Sequence, residues 1–417
     1  MAAENLNLKE ILIRDRNLSL LQKATAFSEF LHKNTQLERN FYFRIIDSPA
    51  ANRVMAQDVL SGKTREMYMF GSNNYLGLAN HPYVREKVAR VCKKYGTGLG
   101  GPPSLNGYTS LHRALEERLS AFKKKEDTLL FSSGYAANIG LVNGMTDRRD
   151  LCLYDDYSHA SFYDGLKGNK CKSVSFEHNN VDHLEAALEK YDSYVNTFVA
   201  VEGVYSMDGD MAPLDQVCQV AKRHNAMVVL DDAHGTGLVG KNGRGTAEHF
   251  GVEEDIDIVL GTFSKVFALN GAFVSSEKPI IDYLRYFARS YMFSASLPPV
   301  CIAAIDAVMD LIEDEPQRRN TLYENVQYTV DALKDHVTFA CSPDAAIIAI
   351  RVPARVNIRE LAYEFHCKGI FINSIEYPAV SVHQQRFRIS MMATHTKEDI
   401  NYLVDVIKHI WDRHGIS

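Results

Sequence analysis

Residues that can ionise or move protons follow three short apolar segments of the chain. The segments NTFVAVEG (196–203), AMVVLDD (226–232) and DIDIVLGT (255–262) are almost continuously apolar, which is typical of strands buried on both faces of a parallel sheet. The polar residues at or just beyond their ends are Glu202, Ser206, Asp208, Asp231, Asp232, His234, Thr262, Ser264 and Lys265. Ligands of open α/β sheets bind where the strands end, so these side chains are expected to meet at one sheet edge.

An acid and a lysine at the same sheet edge suit a pyridine cofactor that is bound as an imine. Asp231 and Lys265 are 34 positions apart, which is enough for one helix and a returning parallel strand. A lysine that forms imines must be partly deprotonated. A carboxylate beside the ring nitrogen favours the protonated, electron-withdrawing form of the ring. The pair therefore indicates a site that can stabilise a carbanion.

The turn SSGYAAN (132–138) can bind a phosphate group. It follows the apolar segment DTLLF (127–131) and opens a helix, and the first amide N–H groups of a helix bind anions. Thr262 and Ser264 would add hydroxyl groups beside Lys265.

Each of these signals is weak when taken alone. An aspartate at a strand end is more often a helix cap than a ligand. A histidine such as His159 in DYSHASFYDG is more often a hydrogen-bonded core residue than a catalytic one. The order along the chain, with the phosphate turn first, then His159, DDAH and TFSK, favours the cofactor site.

Helices must alternate with these strands to bring their ends together. The segments PYVREKVARVCKKYG (82–96) and SLHRALEERLSAF (110–122) have helical periodicity and interleave with the apolar ones. We therefore predict an α/β fold whose large domain, residues 61–298, has a mainly parallel sheet. Residues 299–417 mix strands with helices and are predicted to form a smaller α+β domain.

Residues 1–60 are predicted to form a helical arm in front of the large domain. Its apolar stripe consists of Leu20, Leu21, Phe27, Phe30 and Leu31. This stripe packs either on a partner subunit or on the arm's own domain, and the sequence alone leaves both alternatives open.

Composition argues against several other classes of protein. The 417 residues are 46% hydrophobic and carry a net charge of −6, which supports a large core and argues against a nucleic-acid partner. Seven scattered cysteines form no CxxC pair, so we expect no disulfide framework, no metal site and a cytoplasmic location. No signal-peptide core and no transmembrane segment are recognisable, and transient contact with a membrane surface stays open.

Nine motifs together resemble the α-oxoamine synthases, a family of fold-type I enzymes that use pyridoxal 5′-phosphate (PLP). They are FGSNNYLGL, GYTSLHRALEERL, SGYAAN, DYSHAS, EGVYSMDGD, DDAHGTGLVG, GTFSK, MFSASLPP and RISMMATHT, and they extend from about residue 68 to the C-terminus. The resemblance implies PLP as the cofactor and the fold of a fold-type I PLP-dependent transferase.

The resemblance also implies catalytic roles for four residues. Lys265 in GTFSK matches the lysine that binds the cofactor as a Schiff base and moves the Cα proton. Asp231, the first acid of DDAH, matches the partner of the pyridine nitrogen, and His234 matches the residue near the phenolic oxygen. His159 in YSHAS matches the imidazole that stacks on the ring and helps to bind the amino-acid carboxylate.

Further residues are implied to bind the cofactor or the substrate. The cofactor-binding matches are Gly134 and Tyr135 in the phosphate turn, the hydroxyls of Ser206, Thr262 and Ser264, and Ser294 in MFSAS. Asn74 in SNNYLGL and Arg388 in FRISMM match substrate-binding residues, and a guanidinium suits a carboxylate because it can bind both oxygens. Asn74 and Ser294 are expected to come from the other subunit of a homodimer with shared active sites.

The implied reaction is the decarboxylative condensation of an L-amino acid with an acyl thioester of CoA or a carrier protein. GTFSK, MFSASLPP and ISMMATHT look most like serine palmitoyltransferases. This predicts serine, a long acyl chain, a product such as 3-ketosphinganine, and a role in sphingolipid biosynthesis.

Several alternatives stay open on the sequence alone. SGYAAN, GYTSLHRALEE and DDAHGTGLVG also resemble 8-amino-7-oxononanoate synthases, and a synthase that uses glycine, alanine or cysteate is a further alternative. A catalytically inactive synthase subunit is disfavoured because such subunits lack the lysine that Lys265 provides. A plain aminotransferase is the nearest enzymatic rival, but it would consume no thioester.

Three departures from the family pattern concern substrate choice. The segment Gly101-Pro102-Pro103-Ser104-Leu105-Asn106-Gly107 lacks a cation that many relatives have, and Glu376 stands in a loop where several relatives have an arginine. Glu376 would repel an anionic substrate unless it points away. Asn270 and Ala272 replace a common glycine pair and either reshape the acyl channel or repack locally.

Overall fold

The computed structural model describes residues 15–36, 41–58, 61–381 and 383–416. Residues 1–14, 37–40 and 59–60 of the predicted arm lie outside the described residues. Within the described chain the helices are α1 (Leu20–Gln36), α2 (Pro82–Tyr95), α3 (Ser110–Lys123), α4 (Gly134–Met145), α5 (Ala160–Lys167), α6 (Val181–Lys190), α7 (Leu214–Arg223), α8 (Thr246–Phe250), α9 (Lys278–Phe287), α10 (Arg289–Met292), α11 (Pro299–Asp314), α12 (Gln317–Leu333), α13 (Ile358–Cys367) and α14 (Lys397–His414).

The strands of the described chain are numbered in the same way. They are β1 (Arg53–Gln57), β2 (Thr64–Met69), β3 (Asp127–Phe131), β4 (Leu151–Asp155), β5 (Lys172–Phe176), β6 (Thr197–Glu202), β7 (Met227–Asp231), β8 (Ile258–Thr262), β9 (Ala272–Ser276), β10 (Ile347–Arg351), β11 (Ile370–Phe371), β12 (Asn373–Ile375) and β13 (Arg386–Ser390).

Internal contacts divide the chain into two compact units, which we name and describe separately. The central unit consists of Leu78–Ser206 and Asp210–Asn320, and the terminal unit of Met1–Gly77, Met207–Gly209 and Thr321–Ser417. The predicted domain limits after residues 60 and 298 stay predictions, because a compact unit of contacts is not the same as an independently folding domain.

A seven-stranded sheet forms the middle of the central unit, in the order β3-β9-β8-β7-β6-β4-β5. Strands β8, β7, β6, β4 and β5 are parallel, whereas β9 is antiparallel to both β3 and β8. The apolar segments that predicted strands form β3, β6, β7 and β8. The sheet is therefore mainly parallel, and the polar residues that follow its parallel strands lie at one edge, as the alternation of helices and strands predicts.

Both faces of this sheet are covered by helices. One face packs with α4, α5 and α9, and the other packs with α6 and α7. Leu260 belongs to the first cluster and Val259 to the second, because successive residues of a strand point to opposite faces. Each fully buried aliphatic side chain stabilises the fold by roughly 1.5–3 kcal/mol, so the strand ends stand on a rigid support.

The terminal unit contains two smaller sheets. One has the order β1-β2-β11, and the other, β10-β13-β12, is antiparallel throughout. Helix α14 begins with a capping box in which Thr396 and Asp399 satisfy each other's backbone N–H groups. This mixture of small sheets and helices is of the α+β kind that the C-terminal sequence predicts.

Helix α1 of the terminal unit exposes much of its predicted apolar stripe. Leu20 is 83% exposed, Leu21 is 77% exposed, and Phe27 and Leu31 are each 38% exposed. Phe30 is half-buried, and the guanidinium of Arg359 lies 5.6 Å from the centre of its ring. No helix among the described residues is both long and apolar enough to cross a membrane.

Candidate active site

A cavity of about 200 Å³ opens in the central unit at the carboxyl ends of the parallel strands. It collects most of the site residues that the sequence predicts. Those that line it are Gly134, Tyr135, His159, Ser206, Asp231, His234, Thr262, Ser264 and Lys265. Residues that are more than a hundred positions apart in sequence thus meet in one cavity, because the strands that precede them are neighbours in the sheet.

One end of the cavity is the N-terminus of α4. Ser133 caps this helix, and its Oγ accepts a hydrogen bond from the backbone N–H of Ala136 at 3.1 Å. The first amide N–H groups of a helix have no partner within the helix and carry a partial positive charge. A Cβ atom at Gly134 would lie 3.3 Å from Thr262 Oγ1, so a side chain would crowd the space in front of the helix. The absence of a side chain leaves room for a phosphate.

Two hydroxyl groups complete this end of the cavity. Thr262 Oγ1 lies 3.0 Å from Ser264 Oγ and 3.1 Å from the carbonyl oxygen of Gly271. Lys265 follows directly in the turn after β8, and it is half-buried. A phosphate at the helix N-terminus and a lysine beside it are the two attachment points that a PLP molecule needs.

Asp231 lies at the end of β7, on the floor of the cavity. Its Oδ2 accepts a hydrogen bond from Asn138 Nδ2 at 2.8 Å, and its Oδ1 accepts one from the backbone N–H of Ala233 at 3.2 Å. Burial raises the pKa of this carboxyl above its ordinary value, although the bond from Asn138 opposes the shift. A cation placed beside it would therefore be stabilised strongly, which fits a pyridine nitrogen that carries a proton.

His159 precedes α5 and is exposed on the cavity side. Its Nδ1 lies 2.7 Å from Ser161 Oγ and accepts a hydrogen bond from the backbone N–H of Ser161 at 3.3 Å. The interpretation of this histidine as a core residue is therefore disfavoured, because its ring reaches the cavity instead of the core.

Asn138, Ser161 and Glu202 also line the cavity and were missed as site residues by the sequence analysis. Asn138 and Ser161 fall inside helices, where an isolated polar residue gives no signal. Glu202 was noticed at its strand end, and its register partner in the sheet is Asp231. That pairing of two acids at neighbouring strand ends is the signal that could have found it.

Glu202 is 6% exposed, and its Oε1 has no hydrogen-bond partner within the described residues. Burial, and after it the nearby charge of Asp231, raises the pKa of Glu202 well above its ordinary value. Burial therefore favours the protonated, neutral form of this carboxyl, which can donate a hydrogen bond.

The other predicted site residues lie elsewhere. Ser294 follows α10 in the central unit and is half-buried. Asn74 and Arg388 belong to the terminal unit, where both are buried. Arg388 Nη1 donates hydrogen bonds to Asn73 Oδ1 and Ser390 Oγ, each at 2.9 Å. The roles predicted for Ser294, Asn74 and Arg388 stay predictions.

The charge of Glu376 is compensated within the terminal unit. Arg359 donates two hydrogen bonds to its carboxylate, one from Nε at 3.0 Å and one from Nη2 at 2.8 Å. Such a two-point pair fixes the orientation of the carboxylate. The departure from the family pattern at this position therefore places an ion pair, and not an isolated negative charge, in the loop.

Comparison with known proteins agrees with this geometry. The sequence matches the family described as aminotransferase class I and II over residues 65–407. It is 37% identical to the serine palmitoyltransferase of Bacteriovorax stolpii over 376 residues, which cover 89% of this chain and 88% of that protein. It is 36% identical to the 8-amino-7-oxononanoate synthase of Lysinibacillus sphaericus over 358 residues, which cover 86% of this chain and 92% of that protein.

A solved structure shows the same fold over nearly the whole chain. The serine palmitoyltransferase of Sphingomonas wittichii superposes with a TM-score of 0.90 and 31% sequence identity, and the match covers 95% of this chain and 99% of that one. PLP is the cofactor of these enzymes, and the helix N-terminus, the lysine and the acid described above are the groups that would bind it. The chain is therefore a PLP-dependent acyltransferase with the fold-type I architecture, and it belongs to the α-oxoamine synthases of the aminotransferase class I and II family.

Proposed function

We propose that this enzyme condenses L-serine with a long-chain acyl thioester. The Cα–carboxylate bond of serine and the carbonyl carbon–sulfur bond of the thioester break, and a bond forms between Cα and the acyl carbonyl carbon. The carboxylate leaves as carbon dioxide, the leaving thiolate takes up a proton to give a free thiol, and the remaining product is 3-ketosphinganine or a shorter homologue. The observation that carries the proposal is the grouping of Lys265, Asp231 and His159 around one cavity in a chain that aligns with serine palmitoyltransferases over most of its length. The product would enter sphingolipid biosynthesis.

Bound PLP supplies an electron-withdrawing ring that stabilises negative charge at Cα of the amino acid. The residues of the chain set up this chemistry. Asp231 would bind the protonated ring nitrogen and keep it charged, because its buried carboxylate gains most from a neighbouring cation. The amine of Lys265, once released, would remove the Cα proton and later return one to the product. The hydroxyls of Thr262 and Ser264 and the N-terminus of α4 would bind the phosphate.

The substrate carboxylate needs groups that bind it and later release it as carbon dioxide. We propose that Arg388, His159 and Asn74 take this role. The guanidinium of Arg388 already donates to the neutral oxygens of Asn73 and Ser390, so its position is fixed by the terminal unit itself.

We also propose that the active form is a homodimer to which Asn74 and Ser294 contribute across the subunit interface. The exposed apolar face of α1 supports this proposal, because a face with Leu20 and Leu21 more than three-quarters exposed gains by being covered. Size-exclusion chromatography with light scattering would test it. A monomer that retains full activity would overturn the shared-site arrangement.

The proposed function is tested by titrating the purified holoenzyme with L-serine, glycine, L-alanine and L-cysteate while its visible absorbance is recorded. Palmitoyl-CoA is then added, and released thiol is measured. We expect a spectral shift with serine and thiol release that needs both substrates. A shift with another amino acid alone would move the product elsewhere in the family, and a pimeloyl thioester that reacts with alanine would identify an 8-amino-7-oxononanoate synthase.

Two variants test the roles of individual site residues in this assay. Lys265→Ala should show no shift and no turnover while its fold is unchanged, and any residual turnover would remove Lys265 from the mechanism. Arg388→Ala should raise the KM for the amino acid by about 100-fold, because the substrate carboxylate loses a charged hydrogen-bond donor. Cofactor affinity should be unchanged, because Arg388 is proposed to bind the substrate and not the cofactor.

A further inference from the structure

We propose that Asn138 and Ser161 are positioning residues that fix His159 as a neutral imidazole with its proton on Nε2, and that they connect it to Asp231. Asn138 is 3% exposed and Ser161 is fully buried. Both line the cavity. The inference deepens the proposed function, on which its consequence for the substrate rests, but the state of the imidazole can be measured without any substrate.

The direction of the first hydrogen bond settles where the imidazole proton is. The backbone N–H of Ser161 approaches His159 Nδ1 to 3.3 Å, and His159 is the N-cap residue of α5. A backbone N–H group can only donate. Nδ1 must therefore accept, in the place where a cap residue ordinarily offers an oxygen. A ring nitrogen that accepts carries no proton, so the neutral ring bears its proton on Nε2.

The serine hydroxyl repeats the same requirement. Ser161 Oγ lies 2.7 Å from His159 Nδ1, and since Nδ1 is an acceptor, the hydroxyl must donate. Its oxygen is then left to accept, and Asn138 Nδ2 donates to it at 3.0 Å. The amide of Asn138 uses its other hydrogen for Asp231 Oδ2 at 2.8 Å. Every hydrogen in this chain of bonds thus has a defined direction.

Asp231 determines how the amide of Asn138 is turned. An ionised carboxylate has no proton to give, so the amide nitrogen of Asn138, and not its oxygen, must face it. With the amide nitrogen turned this way, Asn138 can only donate to Ser161, and the hydroxyl hydrogen of Ser161 is left for the acceptor Nδ1 of His159. The carboxylate that would bind the cofactor's ring nitrogen is therefore connected to the imidazole through Asn138 and Ser161.

The consequence for catalysis is that His159 has a hydrogen-bond donor at one defined ring nitrogen. Protonation of His159 on Nδ1 would place its N–H against the backbone N–H of Ser161, which cannot turn away because it belongs to the first turn of α5. The imidazole therefore presents a neutral ring with one N–H, on Nε2. The N–H group of such a ring can donate a hydrogen bond to a substrate carboxylate. This bond is readily lost when the carboxylate leaves as uncharged carbon dioxide, because no ion pair has to be broken.

The first test is the tautomer of His159 in solution. The protein is labelled with 15N-histidine, and long-range proton–nitrogen spectra are recorded for the apoenzyme and the holoenzyme, with His159→Asn to identify the signals. We expect an unprotonated Nδ1 and a protonated Nε2 in both forms. A proton on Nδ1, or an imidazolium, in the wild-type enzyme would overturn the inference whatever the substrates of the enzyme prove to be.

Variants test whether Ser161 sets this state. Ser161→Ala removes the hydroxyl donor but keeps the backbone N–H, so we expect partial loss of the Nε2–H form and an increase of about tenfold in the KM for the amino acid, with a smaller change in kcat. Ser161→Thr, which retains a hydroxyl, should restore the tautomer and bring the KM within about twofold of wild type.

Ser275→Ala is the matched control. Ser275 is a fully buried serine on β9 whose hydroxyl lies 2.7 Å from that of Thr128, and it does not line the cavity. Its loss removes a buried hydrogen bond of the same kind without touching His159. If Ser275→Ala and Ser161→Ala change the KM and the histidine spectra equally, the effect is one of general stability, and the positioning role is wrong.

Discussion

Asp231 and Asp232 are neighbours in the chain but occupy two different environments at the end of β7. Asp231 is half-buried on the cavity floor, where its described partners are the neutral groups of Asn138 and Ala233. Asp232 is 1% exposed, and its partners Lys123, Thr236 and Thr246 do not line the cavity. Successive residues of an extended chain point in opposite directions, so one position separates a reactive acid from a structural one.

One lysine and two threonines bind the carboxylate of Asp232. Lys123 Nζ lies 2.8 Å from its Oδ2, and Thr246 donates to its Oδ1 from both the hydroxyl, at 2.8 Å, and the backbone N–H, at 3.2 Å. Thr236 adds a hydroxyl bond at 3.1 Å. The comparison teaches that an acid with a built-in cation stabilises the fold, whereas an acid whose described hydrogen bonds come from neutral groups gains most from a ligand that brings a cation.

The strongest way to break this comparison is to remove the charge of Asp231. Asp231→Asn should lower kcat/KM by about 10³-fold, because a neutral amide cannot keep the ring nitrogen protonated. The unfolding free energy of the apoenzyme should not fall at pH 7. Burial raises the folded pKa of Asp231 above its unfolded value, so its ionisation opposes folding once the pH exceeds that unfolded value. An activity loss of less than tenfold would contradict the role of Asp231.

The second largest effect should come from Asp232, the structural acid, and it should change the stability of the fold instead of the catalytic activity. Lys123→Met should lower the unfolding free energy by about 3 kcal/mol, because it leaves the buried charge of Asp232 without its cation. Denaturant unfolding of the apoenzyme measures this. The double variant Lys123→Met, Asp232→Leu should recover part of the loss. An unchanged midpoint in the single variant would show that Asp232 is not held by this pair.

A third strand end sharpens the comparison through its response to pH. His178 lies 2.9 Å from both Asp155, at the end of β4, and Asp210. Burial alone would lower the pKa of His178, but the bonds to these two carboxylates raise it to about 9. Because the folded pKa exceeds the unfolded one, this stabilisation is complete below about pH 6.5 and is lost as the pH rises through about 9.

We therefore expect the unfolding free energy to fall by about 2 kcal/mol between pH 6.5 and pH 9.5, after allowance for partial exposure of the ring. Denaturant unfolding over this pH range measures it. His178→Gln should flatten the dependence. A wild-type enzyme whose stability does not change over this range would show that the cluster does not bind a proton more tightly in the folded state.

The smallest expected effect concerns Glu202. Burial raises its pKa well above the ordinary value, so Glu202→Gln replaces a carboxyl whose charged form burial disfavours by a neutral amide of the same shape. The apoenzyme variant should match the wild-type unfolding free energy within about 0.5 kcal/mol at pH 5 and become the more stable of the two as the pH rises. The same denaturant curves measure it. A variant that is clearly less stable at both pH values would mean that Glu202 is ionised and paired.

The sequence predicts the sheet better than it predicts the roles of individual side chains. The apolar segments that form β3, β6, β7 and β8 are buried on both faces of the sheet. Short segments that are almost continuously apolar are typical of such strands. The gathering of strand-end residues in one cavity follows from parallel pairing alone. Nothing in the residues themselves separates Asp231 from Asp232; that distinction came from family resemblance, because it depends on which face of the strand is turned to the cavity.

Positions that connect site residues were not predictable in the same way. Asn138 and Ser161 lie on helices whose other buried positions are apolar, and their importance depends on where α4 and α5 pack. The contacts of Arg359 with Glu376 likewise join α13 to the loop that follows β12. Such pairings are set by tertiary packing, on which composition and periodicity carry no information.

The alternation of Asp231 and Asp232 at the end of β7, where Asp231 pairs with Glu202 in the sheet register, bears on how this part of the gene can change by insertion and deletion. Loss of one residue from β7 would move Asp232 into the place of Asp231, and the cavity would still contain an aspartate. Ala233 would then face Lys123, and a buried ammonium would be left without its carboxylate. Length variation in this strand is therefore limited by the structural acid and not by the reactive one, so relatives should vary in length in the loops around β7 and not within it.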